Sequence, residues 1–308
     1  MAGRVERLRG SRALANLSAL TAAVLFGGAT VATRAAVRHV PPFTLGFLRF
    51  AIGATVLVAL LLSWKRSWPV LRRGDYVRLA LLGGAFFGVF PLLFNSGLRL
   101  TEASRGAVVM ASMPLASLLL ARALRHERLA SRQVGGVVCT FVGVALIFVE
   151  AWTMGSRSLP ALGDAMLLGC AVLAAVYGVF GGRLVGSLGP LTVTAVAMLA
   201  GSSIQLPAAA LEVERSGLPH LTGESLALVA FLGVIGGAAA YLLWTAAFSR
   251  LTPTQVAVYI NVNPLVAALL AWLFLGERVS VIYLIAAGCV TGGILLVNWP
   301  GHATLAAG

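Results

Sequence analysis

Charged residues are scarce in this chain. They make up 11% of its 308 residues, whereas hydrophobic residues make up 59%, and the mean hydropathy is +0.94. A soluble globular domain carries roughly 25% charged residues, and a disordered chain is poor in apolar residues. The composition therefore excludes both classes and predicts a protein that is solvated by the lipid bilayer.

The sequence has no acidic residue at the middle of an apolar run, no CxxC pair and no recognisable enzyme motif. None of the ten acidic residues falls in the middle of an apolar run, and Asp164 lies close to the end of one. His126-Glu127 lacks the second histidine of a zinc-binding HExxH motif, and the chain has no P-loop and no GxSxG. Three cysteines form no CxxC pair and are interpreted as small packing residues: Cys139, Cys170 and Cys289. We therefore expect no enzyme activity, no ATP-driven pumping, no cofactor and no metal site.

The apolar residues fall into ten runs that are separated by charged clusters. These runs cover residues 14–33, 42–63, 79–98, 106–121, 133–149, 162–182, 190–211, 225–248, 252–276 and 279–298. About 20 residues are needed to cross the hydrocarbon core, and a spanning backbone must satisfy its own hydrogen bonds. The pattern predicts an all-α integral membrane protein with ten transmembrane helices. A signal peptide is the alternative for the first run, but no small-x-small cleavage site follows it.

The distribution of basic residues indicates the orientation. The net charge of +13 would suggest nucleic-acid binding in a soluble protein, but here the charges lie between the apolar runs. With a cytoplasmic N-terminus, fifteen basic residues fall on the cytoplasmic side, seven on the other side, and Arg49 within a run. Cytoplasmic loops carry the excess of Lys and Arg. We therefore expect cytoplasmic N- and C-termini and no nucleic-acid partner.

The chain resembles itself when it is shifted by 150 residues. The matches are Ala107-Val108 with Ala257-Val258, Pro114-Leu115 with Pro264-Leu265, Glu127-Arg128 with Glu277-Arg278, Cys139 with Cys289, and Gly143 with Gly293. Each copy holds five runs, an odd number, so the second copy enters the membrane from the opposite side. This predicts an inverted-topology repeat, with copies at 16–149 and 162–298 and a periplasmic linker at 150–161.

Two stretches, 92–129 and 242–297, resemble the EamA domain of the drug/metabolite transporter superfamily. The resemblance is carried by Leu-Thr at 100–101 and 251–252, by the repeated prolines and Glu-Arg pairs, and by LRFAIGA at 48–54. It covers about 16–298 as two copies, and it departs at His126, where the pattern has Gly, as at Gly276. The resemblance implies ten helices, cytoplasmic termini, and import or export of small organic solutes.

Pro114 and Pro264 stand at corresponding places in the fourth and ninth runs. A proline within a helix removes one backbone donor and frees the carbonyl four residues earlier, here that of Met110 and of Ile260. Matched interruptions point to the central site of a transporter. We therefore place Met110 in a central cavity, while a kink used only for packing is the alternative.

Several polar and aromatic side chains are candidates for the same cavity. Tyr259, Asn261 and Asn263 surround the second interruption, where they could bond a solute or equally the freed backbone or a neighbouring helix. Asn95 in the third run could reach the cavity, and Tyr241 and Trp244 could line it or lie at the membrane interface. Three phenylalanines of the third run are expected to share one face and to contact lipid or the helix core in preference to a solute: Phe87, Phe90 and Phe94.

Arg49 is the one basic residue well inside a run. Intramembrane charges are functional candidates, because they are costly in hydrocarbon. Arg49 could neutralise an anionic group of a solute, snorkel outward, or bond helix carbonyls as a structural element. The structural role is the interpretation we prefer from the sequence.

The sequence predicts a secondary transporter that works by alternating access in a bacterial inner membrane, as a monomer or homodimer. A proton-driven exporter of cations needs a buried carboxylate, and the runs have none at their middle. We therefore expect a neutral or zwitterionic, amino-acid-like solute or a drug-like compound, with export preferred over import. The alternative is a membrane protein that does not transport, such as a scaffold or a flippase subunit for a lipid intermediate.

Overall fold

The computed structural model describes residues 2–65, 69–125, 131–153, 160–219, 221–251, 253–277 and 280–298. Within these ranges every regular element is a helix. The Glu127-Arg128 pair, His126, Arg278 and half of the expected linker, residues 154–159, lie outside the described residues. The all-helical class predicted from the apolar runs is confirmed for the described part of the chain.

The first half of the chain contains seven α-helices and one π-helical turn. In order these are α1 Ala2–Ala36, α2 Pro42–Lys65, α3 Arg73–Gly83, a π turn Gly84–Val89, α4 Phe90–Leu100, α5 Ala103–Met110, α6 Met113–Arg125 and α7 Ser131–Thr153. The segment α3–π turn–α4 forms one continuous rod, because each element begins at the residue after the previous one ends.

The second half repeats this order. It contains α8 Pro160–Leu188, α9 Pro190–Ser216, α10 Gly223–Gly233, a π turn Val234–Ala239, α11 Ala240–Ala247, α12 Pro253–Val258, a 3-10 turn Tyr259–Asn261, α13 Val262–Leu275 and α14 Val281–Asn298. The two π turns lie 150 positions apart, as do the interruptions that follow them. The internal repeat of the sequence therefore extends to the irregular parts of the backbone.

Eight helices of the described residues are long and apolar enough to cross a membrane. They cover Arg12–Ala36, Pro42–Trp64, Arg73–Leu100, Arg105–Leu124, Pro160–Leu188, Pro190–Ser216, Gly223–Ala247 and Gln255–Leu275. The last helix of each half contributes a shorter apolar stretch, Val134–Gly143 in α7 and Val281–Gly293 in α14. Each of these stretches carries large apolar side chains that are exposed, as expected for a multi-pass membrane protein whose surface meets lipid.

Helices α7 and α14 pack closely against each other through two glycines. A Cβ on Gly143 would lie 2.7 Å from the carbonyl of Ala286, and a Cβ on Gly293 would lie 2.5 Å from that of Gly136. The partner's number falls as the residue number rises, so the two helices run antiparallel. Only glycine permits this approach, which small residues commonly provide between membrane helices.

Candidate binding cavity

Both interruptions place a proline in the first turn of a new helix. Helix α5 ends at Met110, and α6 begins at Met113, so that Pro114 is the second residue of α6. Helix α13 begins at Val262, and Pro264 is its third residue. The N–H groups of a first helical turn have no partner within the helix, so proline costs little there. The prolines therefore mark helix starts and do not bend a continuous helix.

A cavity lies between these two interruptions. Its wall contains six aromatic side chains, namely Phe26, Phe86, Phe90, Phe94, Tyr241 and Trp244. The remaining lining residues are Ala29, Thr30, Arg49, Met110, Met113, Ala174, Ile260 and Asn263. The volume is ≈ 40 Å³, a few times the space that one water molecule needs. The cavity is therefore constricted in this conformation.

The lining follows the internal repeat. Three pairs of lining residues lie 150 positions apart, namely Phe94 with Trp244, Met110 with Ile260, and Met113 with Asn263. The same places in the two halves therefore face the same space. The cavity lies where the two copies meet.

The π turn decides which phenylalanines face the cavity. Phe86, Phe90 and Phe94 form a continuous row, with ring centroids 4.9 Å apart for the first pair and 5.3 Å for the second. Phe87 instead packs against Phe50 and is not among the lining residues, so its expected place on one face with Phe90 and Phe94 is wrong. A π turn has more residues per turn than an α-helix and brings residues four apart into line.

Arg49 is almost fully buried, with 3% of its surface exposed. Its guanidinium donates to the carbonyl of Gly236 at 3.0 Å through Nη2 and contacts the hydroxyl of Thr33 at 3.4 Å through Nη1. Its guanidinium carbon lies 5.1 Å from the ring centre of Phe50, and its Nε has no partner among the described residues. Arg49 therefore does not snorkel to the interface but lies in the cavity wall.

Gln205 on α9 makes a comparable hydrogen bond to the backbone of the first half. Pro91 has no N–H, which frees the carbonyl of Phe87 in the first π turn. The side chain of Gln205 on α9 donates to that carbonyl at 2.7 Å. In the second π turn, Arg49 on α2 donates to the carbonyl of Gly236. In each case a long polar side chain from the other half donates to a carbonyl of a π turn.

The structure brings five of the predicted side chains to the cavity and places three elsewhere. Arg49, Met110, Tyr241, Trp244 and Asn263 line it. Asn95 is buried, but its Nδ2 donates to the carbonyl of Pro42 at 2.8 Å. Tyr259 and Asn261 are partly buried at the interruption, outside the lining.

A buried polar cluster at one end of the bundle is not apparent from the sequence. Arg105 forms an ion pair of 3.1 Å with Asp164, which also accepts a hydrogen bond of 2.8 Å from Thr101. Glu277 accepts from the backbone N–H of Ala103 at 3.2 Å and lies 3.8 Å from Arg34. This cluster joins the ends of α1, α5, α8 and α13. Its only sequence signal is that charged residues lie directly at the ends of apolar runs.

Comparisons with known proteins agree on one family. A sequence model described as the EamA-like transporter family matches residues 13–149 and 161–299. The chain is 27% identical to the "Uncharacterized transporter YyaM" of Bacillus subtilis, over 89% of this chain and 90% of that protein. It is also 26% identical to a "Probable terminal-alkyne amino-acid exporter" of Streptantibioticus cattleyicolor, over 74% of each chain.

Two further comparisons concern location and fold. The chain is 26% identical to the "Uncharacterized inner membrane transporter YedA" of Escherichia coli, over 89% of this chain and 87% of that protein. A solved crystal structure superposes with a TM-score of 0.70 at 27% identity, covering 96% of this chain and 99% of that one. The similarity therefore extends over nearly the whole fold.

Proposed function

We infer the function from the family: this chain belongs to the EamA-like transporter family, and we propose that it is a secondary transporter of a small organic metabolite. It is a multi-pass membrane protein, and its relatives bear the names of transporters. The observation that carries the proposal is the cavity between two matched helix interruptions, because solute sites in such transporters lie at interrupted helices near the repeat interface.

We propose ten membrane-spanning helices arranged as two inverted five-helix repeats, with both termini in the cytoplasm. The antiparallel contact of α7 with α14 supports this, because equivalent helices of inverted repeats must run in opposite directions. The two shorter apolar stretches would be the fifth and tenth spans. The excess of basic residues in the first half supports the orientation.

Transport would proceed by alternating access around the cavity. A volume of ≈ 40 Å³ is far below the roughly 300–1,000 Å³ of a typical small-molecule site. The helices around the cavity must therefore separate before a solute enters. The two interruptions supply the places where backbone angles can change, because the residues there are not held in a continuous helix.

The solute is proposed to be an amino-acid-like metabolite that leaves a bacterial cell through its inner membrane. Support comes from the names of two relatives, one an amino-acid exporter and one an inner membrane transporter. The lining fits this chemistry, because it is largely aromatic and aliphatic, with a few polar groups. Small-molecule sites commonly have this composition.

The test is solute flux into liposomes that hold the purified chain alone. A comparison of metabolites in cells that overproduce the protein and cells that lack it first selects the solute. We expect the selected solute to accumulate outside the overproducing cells and to cross only the liposomes that contain protein. Absence of flux for every selected solute would favour a scaffold or a flippase subunit.

A further inference from the structure

The polar groups of the cavity break the internal symmetry. Arg49 corresponds to Leu199 in the second half, which points outward with 40% of its surface exposed. Asn263 corresponds to Met113, which lines the cavity with an apolar side chain. Each half therefore forms with an apolar residue at one of these two places. Folding alone does not explain why Arg49 and Asn263 are polar.

The hydrogen bond from Arg49 to the backbone carbonyl of Gly236 does not require a positive charge. The neutral amide of Gln205 donates to the carbonyl of Phe87, as Arg49 donates to that of Gly236. A buried cation is far more costly than a buried amide unless an anion accompanies it. A neutral glutamine therefore suffices for such a hydrogen bond in the other half, whereas a buried arginine carries a larger desolvation cost.

The charge of Arg49 has no anionic partner in the described part of the chain. The ion pairs there involve Arg34, Arg78 and Arg105. The contacts of Arg49 are a carbonyl, a hydroxyl and an aromatic ring, and its buried Nε is unpartnered. The cavity beside it is lined by apolar and aromatic groups. An anion that enters this space would meet a desolvated guanidinium, which binds carboxylates in a fork geometry.

We propose that Arg49 binds the carboxylate of the transported solute, which rests on the proposed transport function. The aromatic row Phe86, Phe90 and Phe94 would hold the apolar body of the solute. Asn263 is buried, and its Oδ1 has no hydrogen-bond partner among the described residues, so it can accept from an N–H or O–H of the same molecule. The ligand class is an amino acid or a hydroxy acid with an apolar side chain.

The experiment compares carboxylates with their carboxamides on the detergent-purified full chain. The test compounds are L-alanine, L-valine, L-leucine and L-phenylalanine, each paired with its amide, and the measurement is the rise of unfolding temperature with concentration. We expect at least one amino acid to bind about tenfold or more tightly than its amide, because a hydrogen bond that involves a charged group is roughly twice as strong as one between neutral groups. Equal binding of every pair, or no binding of any amino acid, would overturn the proposal.

The variant Arg49→Gln tests the residue itself. Glutamine keeps a neutral hydrogen-bond donor on the same side-chain stem, so we expect the variant to fold and to lose the preference for the carboxylate. Arg183→Gln is the matched control, because Arg183 is exposed on α8 over the ring of Phe180. An unchanged preference in Arg49→Gln would refute the assignment. If that variant does not fold, the comparison on the wild-type chain still decides whether the protein prefers a carboxylate to its carboxamide.

Flux separates this inference from the transport proposal. The same preparations are placed in liposomes, and flux of the solute selected by the metabolite comparison is measured. Carboxylate binding without any flux would refute the transport function and support the Arg49 site. The Arg49 site would be refuted, and transport supported, if Arg49→Gln did not reduce the flux. Flux of a solute without a carboxylate would lead to the same conclusion.

Discussion

The thiol of Cys139 donates a hydrogen bond of 3.3 Å to the backbone carbonyl of Cys289, which lies 150 positions further along the chain. These two residues occupy the same place in the two repeats. Equivalent residues can touch only close to the axis that relates the two copies. Helices α7 and α14 therefore cross near this axis, and their contact holds the ends of the two copies together.

The crossing of α7 and α14 predicts that two glycines tolerate no Cβ. We expect Gly143→Ala and Gly293→Ala each to lower the free energy of unfolding by about 1–3 kcal/mol, because the new methyl groups would collide with the backbone at 2.7 Å and 2.5 Å. The measurement is thermal unfolding of the purified protein. Gly135→Ala and Gly288→Ala are the controls on the same helices, since no atom lies within 4 Å of a Cβ there. Equal effects at all four positions would contradict the antiparallel contact.

The buried Arg105–Asp164 ion pair predicts that a substitution at Asp164 strongly lowers the stability of the protein. Asp164→Asn removes the charge that faces the buried guanidinium of Arg105 at 3.1 Å. Removing one partner of a buried pair costs about 3–5 kcal/mol, and we expect a loss of that size in thermal unfolding. Asp75→Asn is the control, because Asp75 pairs with the exposed Arg78 and such a pair contributes about 0–1 kcal/mol. Similar losses in both variants would refute the structural role of the buried pair.

Gln205 is expected to stabilise the first π turn. Gln205→Leu leaves the carbonyl of Phe87 without its side-chain donor, which costs about 1–3 kcal/mol for a buried group. Ser203→Ala serves as control, because Ser203 is exposed and bonds only within its own helix. Unfolding of the two variants under the same conditions gives the comparison. An effect of Gln205→Leu no larger than that of Ser203→Ala would show that the π turn does not need this donor.

Trp244 is expected to affect transport, whereas Trp272 is not. Trp244 lines the cavity and contacts Phe26 with ring centroids 5.7 Å apart. Trp244→Ala would enlarge the cavity and lower the flux of the native solute about tenfold or more, because a misplaced solute loses its productive orientation. Trp272→Ala removes an exposed tryptophan of α13, which faces outward. The prediction fails if the two variants carry the solute at the same rate.

The sequence predicted the parts of the cavity that depend on local backbone chemistry. Prolines in matched runs marked both interruptions, and Met110, placed in the cavity because it lies four residues before Pro114, lines it. Ile260 at the matching place of the second copy also lines the cavity, although the sequence did not predict it as a lining residue. The lack of charge and the length of the apolar runs predicted a helical membrane protein, because a spanning backbone must satisfy its own hydrogen bonds.

Other predicted residues could not be placed without the neighbouring helices. Asn95 bonds the carbonyl of Pro42, which is 53 residues away, and so does not line the cavity. The π turn moved Phe87 out of the row that Phe86 begins, a shift that helical periodicity cannot anticipate. The Arg105–Asp164 pair joins residues 59 apart, and a charge at the end of a run does not identify its partner.

By itself the sequence determined the membrane environment, the helical class, the repeat of 150 residues and the two interruptions, because each follows from composition or from the chemistry of nearby residues. Only the tertiary structure decided which side chains face one another. It placed Arg49 against a carbonyl of the other half, and it paired Met113 with Asn263 across the cavity. Such contacts depend on how α-helices from two copies pack, and helix packing is decided by surfaces that are distant in the chain.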